Sequence, residues 1–365
     1  MSGDIVTLRV EEDFLLLDPA HGWPTQAAPA LLDSLRGLPG PHADLMRYQI
    51  SATTPECSNA AGLSRELHRA RDLLATGAHG LGCELVASGT APYGAHGLST
   101  ISDLPRYRAL ALRYPALAAR SGVCGCRVHV TVPSRDLGAR VLGRLRPWLA
   151  TLLAISANSP IAGGRDTGWA STRYEALAPW PTLRPPEVWP GADAYDQAVR
   201  QAVRAGSALD ERGVQFLARL TPGRPEVEVR VTDTCPDAAT TVLVATLTRA
   251  LVATAAAEIH ADVPAAPAPR PWVVAGVLVA ARNGLGGMGV DPCTGRAVPA
   301  WDLLHRAVGH AGKALADLGD TDTVDALLTR LRELGTGADR QRRLWTSTAA
   351  APAMVASLRA LTVGA

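Results

Sequence analysis

Arg9-Val10-Glu11-Glu12-Asp13 sets Arg9, Glu11 and Asp13 at alternate positions. Alternate side chains share one face of a β-strand, residues i and i+2 lying about 7 Å apart. The segment therefore reads as a strand with one charged side. Three more segments repeat the layout: Arg47-Tyr48-Gln49-Ile50-Ser51, Arg127-Val128-His129-Val130-Thr131 and Glu226-Val227-Glu228-Val229-Arg230. Their polar faces are Arg47/Gln49/Ser51, Arg127/His129/Thr131 and Glu226/Glu228/Arg230. Side by side, these faces would bring together carboxylates, one imidazole and several guanidiniums, a set able to hold a metal and phosphates. An ordinary antiparallel sheet with one wet side shows the same alternation, so the faces alone leave both readings open.

Outward from these segments, strands alternate with helices. Strands are expected at Ile5–Leu17, Leu45–Thr53, Cys83–Ser88 and Gly125–Val132. Helices are expected near Ala27–Arg36, Leu63–His79, Leu142–Ser156 and Ala192–Leu209, with another capped by Ser102. The stretch 157–190 reads as irregular, and irregular segments of that length are commonly functional. From 237 to 365 the pattern is mostly helical. One polar face per strand argues against a buried parallel sheet and predicts an α+β fold, a mainly antiparallel sheet backed by helices, in one domain over 1–365.

Composition narrows the function. The formal net charge is only +2 over 365 residues, so no basic field points to nucleic acid. Lys313 is the sole lysine, which excludes a lysine-dependent phosphate loop. Arginine or backbone N–H groups must hold any anionic substrate. Met1–Asp13 lacks a signal-peptide pattern, and the apolar run Thr240–Ala257 is interrupted by Arg249, so a cytoplasmic protein with no membrane span is expected. The six cysteines are expected to be reduced. Cys124 and Cys126 read as buried thiols facing the apolar side with Val128 and Val130.

Val10-Glu11-Glu12-Asp13-Phe14 through Asp18-Pro19 resembles the opening of the type 2 glutamate–cysteine ligase family, the carboxylate–amine ligases. Further segments agree in order: Val86–Thr90, Cys124-Gly125 through Val130, Ser156–Pro160 with Gly164–Gly168, Glu228-Val229-Arg230 through Cys235, and Val290-Asp291-Pro292 with Thr294–Arg296. The resemblance implies a fold like the catalytic domain of glutamine synthetase, a curved antiparallel sheet whose concave face is the active site. It implies ATP-dependent amide formation through an acyl phosphate, with ATP and Mg²⁺ (or Mn²⁺) as cofactors, a small carboxylate and a small amine as partners, and a homo-oligomer. By position, Glu11, Asp13, His129 and Glu228 would be metal ligands. Arg230 and Arg165 would be catalytic, and Arg127, Ser51, Ser171, Arg173 and Arg282 would bind substrate or nucleotide.

Departures from the family pattern fall on the same face. Ser51 stands where a glutamate is usual, Arg127 where the first histidine of H-V-H is usual, Asp13 for a longer glutamate and Thr131 for a glycine. Together the first two shift the face by two positive charges. Glu56 is a candidate replacement for the missing carboxylate. The changes suit a specialised biosynthetic ligase with altered substrates as readily as glutamate and cysteine. A non-catalytic nucleotide-binding or regulatory descendant is the alternative, and an acyl-transfer enzyme with Cys57 as nucleophile a third.

Overall fold

The computed structural model describes residues 6–94, 97–348 and 350–364. The expected strand start at Ile5 lies outside them. Among the described residues, seven strands make the main sheet: β1 (Leu8–Leu17), β2 (Pro41–Ala43), β3 (Gln49–Thr53), β4 (Glu84–Val86), β5 (Cys126–Thr131), β6 (Ala218–Leu220) and β7 (Glu226–Val229). Their order is β2-β3-β1-β5-β7-β6, with β4 beside the end of β1, and every pairing is antiparallel. The α+β fold expected from alternation is the fold observed.

Register puts the charged residues in rows. Glu11 stands opposite Arg127 and Arg9 opposite His129. Asp13 stands opposite Ser51, His129 opposite Glu228, and Arg219 opposite Glu228. The reverse face carries Leu8, Val10, Val128, Val130, Val227 and Val229, all buried against the helices Ala60–Gly80, Arg135–Leu145 and Ala238–His260. Each fully buried side chain of this size contributes roughly 1.5–3 kcal/mol.

Glu12 falls on this apolar face, where Arg71 Nε donates to its Oε2 at 3.0 Å and Thr241 Oγ1 donates to its Oε1 at 2.6 Å. The adjacent glutamates Glu11 and Glu12 thus serve opposite sides of the sheet. Arg249, which interrupts the apolar run, is fully buried and paired with Asp320. Its helix, Ala238–His260, is long and apolar enough to cross a membrane, but 72% of its apolar window is buried inside this fold.

Several local expectations change. The helix foreseen over Leu142–Ser156 is two, Arg135–Leu145 and Leu149–Ser156, because Pro147 cannot donate to a continuous helical ladder. Ser102 caps nothing; its Oγ donates to the Asp44 carbonyl and the helix begins at Pro105. The stretch 157–190 contains a short hairpin (Ile161–Ala162 with Arg165–Asp166) and the helix Thr172–Leu177. Cys126 packs behind the sheet, whereas Cys124 precedes β5 and belongs to a separate cluster with Leu15, Leu17 and Trp180. Near the C-terminal end, Arg340 pairs with Asp237 and Arg342 with Asp166.

Candidate active site

The polar face of the sheet floors a cleft of about 510 Å³. Arg9, Glu11, Asp13, Ser51, Arg127, His129, Arg219, Glu228 and Arg230 line it from below, and Tyr107, Leu110, Leu177 and Trp180 give it an apolar wall. Seven arginines and four carboxylates face it among the described residues.

Arg127 occupies the middle of this floor. Its Nη1 donates to Glu11 Oε1 and also to Asp13 Oδ1 at 3.0 Å, while Nη2 donates to Asp13 Oδ2 at 3.0 Å. Ser51 Oγ donates to Asp13 Oδ1 at 2.8 Å and the Gly125 N–H to Oδ2 at 3.1 Å. Asp13 is buried and accepts four hydrogen bonds, which fills the capacity of a carboxylate. His42 Nε2 lies 3.3 Å from Glu11 Oε1. Burial opposes charge on His42, but the hydrogen bond and charge of Glu11 win and raise its pKa to about 9.

Two more ion-pair groups flank this centre. Glu228 is held by Arg219 Nε at 2.7 Å and by Arg230 Nη1 at 3.2 Å. Burial and the neighbouring Arg219 bring the Arg230 pKa down to about 9. Glu226 receives Arg9 Nη2 at 2.8 Å and lies 3.6 Å from His129 Nδ1. Burial would raise its pKa, but hydrogen bonds from His129 and Arg9 bring it to about 2. His129 Nδ1 also contacts Thr221 Oγ1 at 3.2 Å. His129 Nε2 is buried without a hydrogen-bond partner among the described residues and lies 3.9 Å from Glu11 Oε2.

A divalent cation can be tested against these donors. Among the described residues, no group of three or more His, Cys, Asp or Glu side chains converges on one point. Asp13 is saturated and Glu228 is committed to two arginines. The orphaned His129 Nε2 and the adjacent Glu11 Oε2 do fit an ion that brings most of its ligands with it, as nucleotide-bound Mg²⁺ does.

The remaining expected residues are scattered. Arg173 reaches the cleft from the helix Thr172–Leu177, donating to the Arg230 carbonyl at 3.2 Å. A Cβ at Gly125 would lie 2.5 Å from its Nη2, so the glycine of Cys124-Gly125 makes room for this guanidinium. Ser171 is outside the cleft lining: it caps that helix and donates to Asp233 Oδ1 at 2.7 Å. Arg165 is exposed on the hairpin beside Asp166 and Trp169, away from the cleft. Arg282 is exposed too, and its carbonyl accepts the Ala170 N–H. Glu56 binds Arg224 at 2.9 Å outside the cleft lining, so it does not replace a carboxylate there. Cys57 is buried behind the sheet, and burial raises its thiol pKa, the opposite of an activated nucleophile.

Residues 7–358 match the family described as Glutamate-cysteine ligase family 2 (GCS2). The chain belongs to this family. A Salinispora arenicola protein named "Putative glutamate--cysteine ligase 2" is 42% identical over 350 residues, covering 93% of this chain and 90% of that one. A Mycolicibacterium smegmatis protein named "Putative glutamate--cysteine ligase 2-3" is 38% identical over 360 residues, covering 98% of each. Among solved structures, glutamate–cysteine ligase from Francisella tularensis in complex with AMP superposes with a TM-score of 0.67 at 13% identity, covering 98% of this chain and 92% of that one. A bifunctional glutathione synthetase from Pasteurella multocida gives 0.69 at 14% identity; the match covers 97% of this chain but 52% of that one. At such identities the likeness is one of fold.

The GCS2 chain also uses residues that its sequence did not announce. His42 enters from β2, which has three residues, too few to display alternation, and Asp44 follows directly after that strand. Arg219 enters from the equally short β6. Only the match of Ala218-Arg219-Leu220 to the apolar–polar–apolar rhythm could have marked it.

Proposed function

We propose that this GCS2 chain is an ATP-dependent carboxylate–amine ligase. The observation that carries this reading is the crowding of buried guanidiniums on the cleft floor. Arg219 and Arg230 share Glu228, with Arg127 and Arg173 close by. Such a cluster carries positive charge in excess of its carboxylates and is suited to a polyanion. AMP in the F. tularensis ligase supports a nucleotide as that anion.

In the proposed reaction a carboxylate oxygen of the acid attacks the γ-phosphorus of ATP, and ADP leaves with the electrons of the broken P–O bond. The amine nitrogen then attacks the acyl carbon, loses a proton and expels phosphate. Arg230 would hold the transferring phosphoryl oxygens, and Arg173, fixed by two backbone carbonyls, would add a second positive contact. A divalent ion, when bound by Glu11 Oε2 and His129 Nε2, would screen the triphosphate. The apolar wall of Leu110, Leu177 and Trp180 would keep water from the acyl phosphate.

Release of ADP and phosphate from purified protein tests this, starting with glutamate and cysteine and extending to a panel of acids and amines. Product release that needs both an acid and an amine is expected. The closure of Glu11 and Asp13 onto Arg127 favours one other reading, a nucleotide-binding descendant without turnover. Tight ATP binding with no ADP from any pair would select it.

A further inference from the structure

We propose that the guanidinium of Arg127 stands in place of a divalent cation between Glu11 and Asp13, giving this edge of the cleft a fixed positive charge that needs no metal. The inference sharpens the ligase reading, but its geometry and its test do not depend on turnover.

Asp13 carries the strongest part of the case. Ser51 and Arg127 Nη1 fill its Oδ1, and Gly125 and Arg127 Nη2 fill its Oδ2. A metal reaching Asp13 would have to strip hydrogen bonds from a carboxylate that is 1% exposed. A bidentate guanidinium–carboxylate pair already satisfies both partners there. On Glu11, Oε1 is taken by Arg127 and His42, and only Oε2 faces away toward His129.

Charge leads to the same place. Two carboxylates, Glu11 and Asp13, close on the one guanidinium of Arg127. Replacing the family pattern's glutamate by Ser51 and its histidine by Arg127 changes the face by two positive charges, the charge of one divalent ion. Size fits as well. Ser51 stands directly opposite Asp13, where its short hydroxyl reaches the carboxylate as a donor. A glutamate at that position would add a third negative charge beside Glu11 and Asp13 and compete for Arg127.

Mn²⁺ titration of the nucleotide-free protein, followed by the electron paramagnetic resonance signal of free Mn²⁺, tests the proposal. Wild type is expected to show no saturable site at millimolar Mn²⁺. The double variant Ser51→Glu/Arg127→His is expected to gain one site per chain, at least about tenfold tighter than any wild-type binding, and to lose it on adding Glu11→Gln. Saturable wild-type binding that disappears in Asp13→Asn would overturn the proposal without any need for the double variant. A folded double variant, judged by circular dichroism and melting, that gains no site would overturn it as well. Failure of the ligase reading would show separately, as absent ADP release.

Discussion

Arg127 grips Asp13 through both carboxylate oxygens, Nη1 to Oδ1 and Nη2 to Oδ2, each at 3.0 Å. Removing one member of such a pair leaves the other charge in a largely dry site. Asp13→Ala should therefore lower the unfolding free energy by about 3 kcal/mol, since an uncompensated buried charge costs roughly 3–5 kcal/mol and Glu11 still holds part of Arg127. Asp13→Ala combined with Arg127→Met should recover part of the loss, because the buried guanidinium no longer lacks Asp13, while Glu11 keeps only its contact with His42. Urea denaturation of Asp13→Ala, Arg127→Met and the double variant measures this. Additive losses in the double variant would contradict it.

Thiol chemistry should single out one cysteine. Cys293 is exposed, whereas Cys57, Cys83, Cys124, Cys126 and Cys235 are buried. Burial raises the thiol pKa of Cys57, Cys83 and Cys124, so these three are poor nucleophiles for a second reason. Native protein treated with iodoacetamide should gain one label, at Cys293, and keep its ligand binding. Rapid labelling of Cys57, read by mass spectrometry, would bring back a nucleophilic role for it.

The charged faces of β1, β5 and β7 were legible because alternation survives in strands of four or more residues with one buried side. Partner choice was not legible. Whether Arg127 meets Glu11, a phosphate or nothing depends on register between segments more than 100 positions apart. Ser171 and Arg165 looked functional for ordinary reasons: a helix cap and an exposed hairpin turn use the same polar residues as a substrate loop. Ser51 and Arg127, the two departures from the family pattern, proved to be neighbours around one carboxylate.

The pH dependence of stability should have two limbs with different owners. Glu226 titrates at about 2 in the folded chain, below an unfolded carboxylate at about 4.3. Its contribution is full above the unfolded value and is lost as pH falls from about 4.3 through 2. Asp237, held well below its ordinary value by Arg340 despite burial, adds to this acid limb. His42 behaves oppositely. Its folded pKa is raised to about 9, so its contribution is full below about 6.5 and is lost as pH rises through 9. With its side chain 43% exposed, solvent screening keeps the alkaline limb shallow. Urea midpoints between pH 3 and pH 10 should peak at roughly pH 5–6.5. His42→Gln should flatten only the alkaline side, and a change on the acid side instead would contradict the assignment.

Arg219 and Arg230 share Glu228 but should respond to mutation in different ways. Arg219 donates to Glu228 at 2.7 Å and to the carbonyls of Arg212 and Val214 at 2.9 and 3.0 Å, tying β6 to the preceding turn. Arg219→Met should cost about 3 kcal/mol of stability through lost charge-assisted bonds to buried acceptors. Arg230 has a longer contact with Glu228, 3.2 Å, and among the described residues it otherwise reaches the Gln215 side chain at 2.9 Å. It also bears the repulsion of Arg219. Arg230→Met relieves that repulsion and leaves Glu228 paired, so stability should move by less than about 1 kcal/mol. Anion binding should show the reverse. ATP or inorganic phosphate should raise the melting temperature of wild type, with affinity falling about tenfold or more in Arg230→Met as a charged hydrogen bond is removed. A destabilised Arg230→Met protein with unchanged ATP affinity would make Arg230 a strut of the sheet rather than a ligand for phosphate.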